Sequence, residues 1–289
     1  MVSLTARLAL ATYVALLAVG CKAQPGHENP RWKYSEDDDS SDDSGNVLSP
    51  KDWGIGYPEC AGSNQSPIDF IDDEDVPETL DLAEAPLEFE GDCSDFLLIP
   101  GEHEVRWLSR EDGACKVRRD GREYSLTHFQ LHVPSEHTIN GIAYDGEVQF
   151  VHVADDDEDE QLIVSLLVEE HRTKSKLRRS TWMEAVWKSL RFVNESANID
   201  HSYADLLLDK LQSGKSFNYA GSLTTPPCTE SVDWWIVRSP LYVERTFLDG
   251  FDGLLARMDG ADDGENARET QARNGRHVTT YSDVVDQDI

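Results

Sequence analysis

Short runs of alternating apolar and polar residues fill the middle of the chain. Residues 96–98, 104–108, 126–133, 147–153 and 162–168 repeat with the two-residue period of a strand. Gly, Pro, Asp and Asn punctuate the gaps between them. Residues 174–192 carry apolar positions at helical spacing and basic residues near the end, which predicts a helix. Residues 203–211 and 243–258 predict two shorter ones. Strands outnumber helices, and they follow one another too closely for repeated β-α-β units. The pattern therefore predicts a mixed, mainly β domain with a largely antiparallel sheet and peripheral helices.

The ends of the chain break this pattern. Residues 1–20 read as a secretory signal: Arg7 precedes an apolar run too short to span a bilayer, and cleavage fits after Gly20 or Ala23. Residues 21–50 form an acidic Ser/Asp/Gly-rich segment that contains Trp32 and Tyr34. A single domain over residues 51–282 follows, with a tail at 283–289. Nothing predicts a membrane anchor once the signal is removed.

Export changes how the cysteines are read. Setting Cys21 aside leaves Cys60, Cys93, Cys115 and Cys228. An even number without CxxC spacing, in an oxidising compartment, predicts two disulfides, and three connectivities are open. Asn64 and Asn194 begin N-glycosylation sequons. The net charge of −30 argues against a nucleic-acid partner, because phosphate repels such a surface. Acidic runs at residues 36–43 and 155–160 are expected as solvated loops. They suit cations or a basic partner and lack the spacing of an EF-hand.

The candidate chemistry lies on two neighbouring strands. In Thr127-His-Phe-Gln-Leu-His132, residues His128, Gln130 and His132 share one face. In the next strand Glu147, Gln149 and Val151 share a face. An antiparallel hairpin turning at residues 140–146 would set these faces side by side. Two strands that present polar side chains into one concavity are how a sheet builds a metal site. Further along lies the polar turn Gly221-Ser-Leu-Thr-Thr-Pro-Pro-Cys228.

Together HVPSEHTING, GSLTTPPCTE, QSPIDF and the closing NARETQ resemble the alpha-class carbonic anhydrase family over roughly residues 30–282. The resemblance implies one domain on a central twisted, largely antiparallel ten-stranded sheet, with a conical site opening on one face. It implies a Cys60–Cys228 bridge, which leaves Cys93–Cys115 as the second. It also implies zinc held by three histidines, and here the chain departs from the pattern. The three ligand positions carry Gln130, His132 and Gln149.

By the same resemblance Thr224 and Glu136 correspond to the pair that orients a zinc-bound hydroxide. Glu147 corresponds to the carboxylate behind the third ligand, and His103 to the proton shuttle. Tyr219 joins the surrounding hydrogen bonds, and His128 stands at a supporting position. Val151, Val164, Leu223, Val232 and Trp234 correspond to the apolar wall that receives CO2.

Three imidazoles lower the pKa of zinc-bound water to about 7. A carboxamide offers only a carbonyl oxygen, a donor for harder ions. His128 cannot take over the place of Gln130, because two strand residues set it about 6–7 Å away. The expectation is a secreted carbonic anhydrase-like protein without the zinc site, acting as a binding or structural module for a protein, a glycan or cations. The alternatives are a carbonate dehydratase with a displaced metal such as zinc, and an acidic matrix or storage protein.

Overall fold

The structure is a computed structural model, and it describes residues 30–35, 47–72, 87–111, 113–171, 179–191, 195–199, 201–212 and 214–282. The signal segment, the acidic run at 36–43, Asn194 and the tail lie outside the described residues.

Among the described residues eleven strands make the central sheet. They are β1 (Glu88–Glu90), β2 (Asp95–Pro100), β3 (Val105–Ser109), β4 (Lys116–Arg119), β5 (Arg122–His132) and β6 (Gly146–Ala154). Then come β7 (Asp157–Glu170), β8 (Ser196–Asn198), β9 (Lys215–Gly221), β10 (Val232–Val243) and β11 (Thr279–Ser282). The spatial order is β8-β2-β3-β5-β6-β7-β10-β9-β11, and β4 joins β1 to β5. Every pairing is antiparallel except β7 with β10. All five strands expected from the polarity pattern are present, in a sheet of one strand more than the ten implied by family resemblance.

Both faces of the central strands are covered, which explains their composition. Along β5, Phe129 and Leu131 enter the larger core, which also holds Trp107, Phe150, Val164 and Trp235. His128, Gln130 and His132 alternate with them on the other face, and all three are buried. Three helices cover the larger core: α1 (Thr181–Ser189), α2 (Tyr203–Gln212) and α3 (Arg245–Leu255). Ser180 caps α1 by accepting from the Met183 N–H at 3.2 Å, which satisfies one of the free donors of the first turn. On the opposite face a smaller cluster of Val151, Ile163, Val232 and Trp234 lies beside the polar residues.

Two expectations need correction. The acidic run at 155–160 is not a free loop. Asp157–Glu160 begins β7, and basic residues of the preceding hairpin hold the charges. Lys116 Nζ lies 2.6 Å from Asp155, and Arg122 bonds both Asp156 and Glu160. The turn between β5 and β6 is also longer than a simple hairpin. Residues 138–139 and 142–143 pair with each other, and 138–139 also pair with 69–70, as a separate small sheet. That detour carries the Ser135-Glu136-His137 loop under the site.

Candidate functional site

The register of β5 and β6 sets the floor of the site. Gln130 lies opposite Gln149, His132 opposite Glu147, and His128 opposite Val151. The two strands thus bring the side chains of Gln130, His132 and Gln149 within hydrogen-bonding reach of one another. What joins them is a chain of hydrogen bonds whose direction follows from its ends. Glu136 and Glu147 are carboxylates that accept, so Gln149 turns its Nε2 toward them, at 2.8 and 3.1 Å. Its Oε1 then faces Gln130, which donates through Nε2 at 3.0 Å. The other Nε2 hydrogen of Gln130 points to His132 Nε2, 3.1 Å away. His132 donates from Nδ1 to the Asn266 carbonyl at 2.6 Å, so its Nε2 carries the lone pair that accepts.

Each carboxylate is anchored from behind. Glu136 Oε1 accepts from the Arg268 backbone N–H at 3.0 Å. Glu147 accepts from the His137 N–H at 2.8 Å, from His137 Nδ1 at 2.9 Å and from Ser165 Oγ at 2.7 Å. Burial opposes a charge on Glu147, but His137 and the donors around it outweigh the burial and hold its pKa at about 2. Burial likewise disfavours a charged His132. The neighbouring Glu136 carboxylate and the Asn266 carbonyl outweigh it and raise the pKa from its ordinary value. A proton and the Gln130 amide therefore compete for the same lone pair.

The other residues expected at the site fall into three groups. Tyr219 Oη lies 2.7 Å from His137 Nε2 and donates to Ser66 Oγ at 2.8 Å, so it reaches Glu147 through His137. Thr224 is buried in the polar turn, but among the described residues no hydrogen bond joins it to Glu136. Glu136 spends its oxygens on Gln149 and Arg268 instead. His103 is drawn to the N-terminal segment: its ring stacks on Trp32 with centroids 3.6 Å apart, and its Nε2 lies 2.6 Å from the Trp32 carbonyl. A Cβ on Gly260 would sit 2.0 Å from that ring, so the chain approaches it as only glycine can.

The residues expected in the apolar wall divide between the two cores. Val151, Val232, Trp234 and Leu223 lie together, but Val164 faces the larger core. Its pairing partners are Phe150 and Trp235, whereas Ile163 pairs with Val151 and Trp234. A one-residue offset moves a strand side chain to the other face. The cysteines pair as Cys60–Cys228 and Cys93–Cys115, with Cα atoms 4.8 and 5.8 Å apart. Asn64 is exposed, and its side chain donates to Glu230 at 3.2 Å.

Sequence reasoning missed Arg106, Glu104, Asn266 and Arg268. Arg106 pairs with Gln130 across β3 and β5, so a guanidinium stands at the ligand strand. Glu104 forms a salt bridge with it. Both residues sit in the strand expected at 104–108, and their spacing of two puts them on one face. That alternation was the available signal. Burial pushes the His128 imidazole well below its usual pKa, and Arg106 adds to the effect. Asn266 and Arg268 come from the NARETQ segment. The buried Arg268 guanidinium bonds Gln65 Oε1 at 2.9 Å and the Ser66 carbonyl at 2.8 Å, and burial lowers its pKa to about 10.

Among the described residues no group of three His, Cys, Asp or Glu side chains is arranged to hold a metal. Comparison with known proteins gives the family directly. Residues 48–282 match the eukaryotic-type carbonic anhydrases. Alpha carbonic anhydrase 7 of Arabidopsis thaliana is 32% identical over 243 residues, covering 82% of each protein. The solved alpha-carbonic anhydrase of Thermovibrio ammonificans, in complex with the inhibitor sulfanilamide, superposes with a TM-score of 0.67. It is 25% identical, covering 87% of this chain and all of that one. A dioscorin solved in complex with ascorbate gives a TM-score of 0.66 and 26% identity, over 84% of this chain and 97% of that one. The chain belongs to the eukaryotic-type carbonic anhydrase family.

Proposed function

We propose that this protein is an exported carbonic anhydrase-like binding or structural module that does not hydrate CO2 through zinc. The Gln130 carboxamide carries the proposal. It spends both N–H groups inside the triad, one on Gln149 Oε1 and one on His132 Nε2. Zinc held as in the family needs three converging nitrogen lone pairs and one open position. Here an ion would meet two N–H hydrogens, one carbonyl oxygen and a single imidazole whose lone pair is already in use. That donor set does not fit zinc. Losing a group that only orients a metal ligand costs ~10–100-fold in metal affinity or activity, and losing two ligands costs more.

The two disulfides suit an oxidising compartment and agree with export. The net charge of −30 favours a basic partner or cations over nucleic acid. The solved dioscorin, complexed with ascorbate, is a relative of this fold that takes a small organic molecule. A second reading, a carbonate dehydratase with a displaced metal, rests on family membership and on His128, which shares the face of Gln130 and His132 on β5. Arg106 beside His128 opposes a cation there. A third, an acidic cation-binding matrix or storage protein, rests on charge alone and is tested by calorimetry with calcium.

The deciding experiment is metal analysis and CO2 hydration on the purified protein, alongside the double variant Gln130→His/Gln149→His. The expected result is no stoichiometric zinc and no hydration above buffer for the natural chain. The double variant should bind zinc, because His132, Glu136 and Glu147 remain in place. Stoichiometric zinc with CO2 hydration in the natural chain would sink the proposal.

A further inference from the structure

In an Asn-Gly pair the glycine nitrogen can attack the asparagine amide within the chain, because no side chain shields it. The sequence holds two such pairs, Asn140-Gly141 and Asn274-Gly275. Both adopt the same backbone. The φ angles are +53° and +74° in the first pair and +50° and +74° in the second, so each pair is the centre of a tight turn. The first turn lies between the paired residues Ile139 and Ile142. The second is closed by the Arg276 N–H, which donates to the Arg273 carbonyl at 3.0 Å. All four residues are exposed, so burial does not separate the pairs. What differs is how each turn is held.

The first turn is pinned at the atoms that would react. The Gly141 N–H donates to Asp69 Oδ1 at 2.8 Å. Asn140 Oδ1 accepts from the Asp72 N–H at 3.0 Å, and Asn140 Nδ2 donates to the Asp72 carbonyl at 3.1 Å. At the second turn Asn274 Nδ2 donates to the Ser63 carbonyl at 2.8 Å. Among the described residues nothing bonds Asn274 Oδ1 or the Gly275 N–H. A Cβ on Gly275 would meet nothing within 4 Å, so the space beside it is open. Charge separates the pairs as well. Gly141 would lose its proton beside the Asp69 carboxylate, which opposes the anion. The Arg273 and Arg276 side chains bond each other's carbonyls at 2.7 and 3.0 Å, which sets two positive charges around Gly275 and favours the anion. These bonds brace the ends of the turn and leave the reacting atoms free.

We propose that Asn274 is a site of spontaneous deamidation in the folded protein, and that Asp69 and Asp72 protect Asn140 from the same reaction. The Gly275 nitrogen gives its proton to hydroxide and attacks Asn274 Cγ. The N–Cγ bond forms, the Cγ–Nδ2 bond breaks, and the amide nitrogen leaves as ammonia with a proton from water. Water then opens the cyclic imide at either carbonyl, which leaves aspartate or isoaspartate at position 274. Either product loses the donor to Ser63 and gains a negative charge, and isoaspartate also lengthens the main chain by one carbon. Ser63 lies beside Gln65, whose carbonyl accepts from Arg276 Nη2 at 2.7 Å. The change therefore loosens the contact between the Ser63–Gln65 segment and the Asn274 turn. It holds whatever the zinc positions bind.

The test ages the purified full exported chain at mildly alkaline pH. Peptide mapping by mass spectrometry follows both pairs with time, and electron-transfer fragmentation separates isoaspartate from aspartate. The reduced chain in urea is the reference, in which the two pairs should convert at similar rates. In the folded protein Asn274 should convert at least about tenfold faster than Asn140, because the first turn must open two more hydrogen bonds. Asp69→Ala should raise the Asn140 rate and leave the Asn274 rate as it was. Should that variant not fold, the two rates in the natural chain decide alone. Equal rates in the folded protein, a faster Asn140, or no conversion at Asn274 while the unfolded chain converts would overturn the proposal. So would an Asn140 rate that a folded Asp69→Ala variant leaves unchanged.

Discussion

The floor and the wall of the cone are built from neighbouring strands, and they differ in one respect. On the floor, each N–H of Gln130 and Gln149 has a partner, and so have the ring nitrogens of His132 and the oxygens of Glu136 and Glu147. On the wall, Tyr34, Glu104, Arg106 and Gln130 each keep a buried polar atom without one. Gln130 belongs to both, its nitrogen to the floor and its oxygen to the wall. A saturated network rigidifies, whereas an unsaturated one is costly unless something polar completes it. The floor therefore stabilises the fold, whereas the wall carries the cost of its unpaired atoms.

The sharpest way to break the floor is Glu147→Ala. It leaves His137, Ser165 and Gln149 with buried donors and no acceptor. Removing one partner of a buried charged network costs ~3–5 kcal/mol, read as a lower denaturation midpoint in urea. An unchanged midpoint would remove the structural role of the floor.

Acid provides a control on the opposite face of β6. Burial pushes the His152 pKa down to about 4 from an ordinary 6.5. Its Nδ1 donates to the Leu162 carbonyl at 3.0 Å, and its Nε2 contacts the Tyr203 hydroxyl. The folded state favours the neutral ring, so this contribution is full above pH 6.5. It is lost as pH falls from there through about 4. As pH falls between those values, unfolding should cost less free energy, by up to ~2–4 kcal/mol, and take up about one extra proton. Urea titrations at stepped pH measure both, with a His152→Asn variant as reference.

Gln149→Leu tests the amide chain with a smaller change. It strips a donor from Glu136 and from Glu147 and an acceptor from Gln130, for ~1–3 kcal/mol. Tyr34→Phe sits at the other end of the scale. Among the described residues the hydroxyl has no partner, so removing it should move stability by no more than ~0.5 kcal/mol. A larger loss of stability would place Tyr34 on the structural side of the comparison.

Much of this was legible before any coordinates. The alternation at 126–133 and 147–153 predicted the two floor strands, and the same alternation put Gln130, His132 and Gln149 on one face. It could not supply the register between β3 and β5. Arg106 therefore passed unnoticed in a strand already identified, until pairing set it beside Gln130. Val164 shows the same limit: periodicity defines two faces but does not name them, and an apolar run buried on both sides gives no hint. The basic partners of the acidic run were also hidden, because Lys116 and Arg122 meet Asp155 and Glu160 only through the hairpin.

By itself, the sequence determined the strands, the family and the replacement of two zinc ligands by glutamine, because these are matters of local period and residue identity. The tertiary structure alone decided how the glutamines point. An amide can face either way. Its orientation follows from Glu136, Glu147 and Asn266, which arrive from a loop, from the neighbouring strand and from a segment more than a hundred residues away. Those three contacts turn the Gln130 nitrogen to His132 and leave its oxygen to the wall.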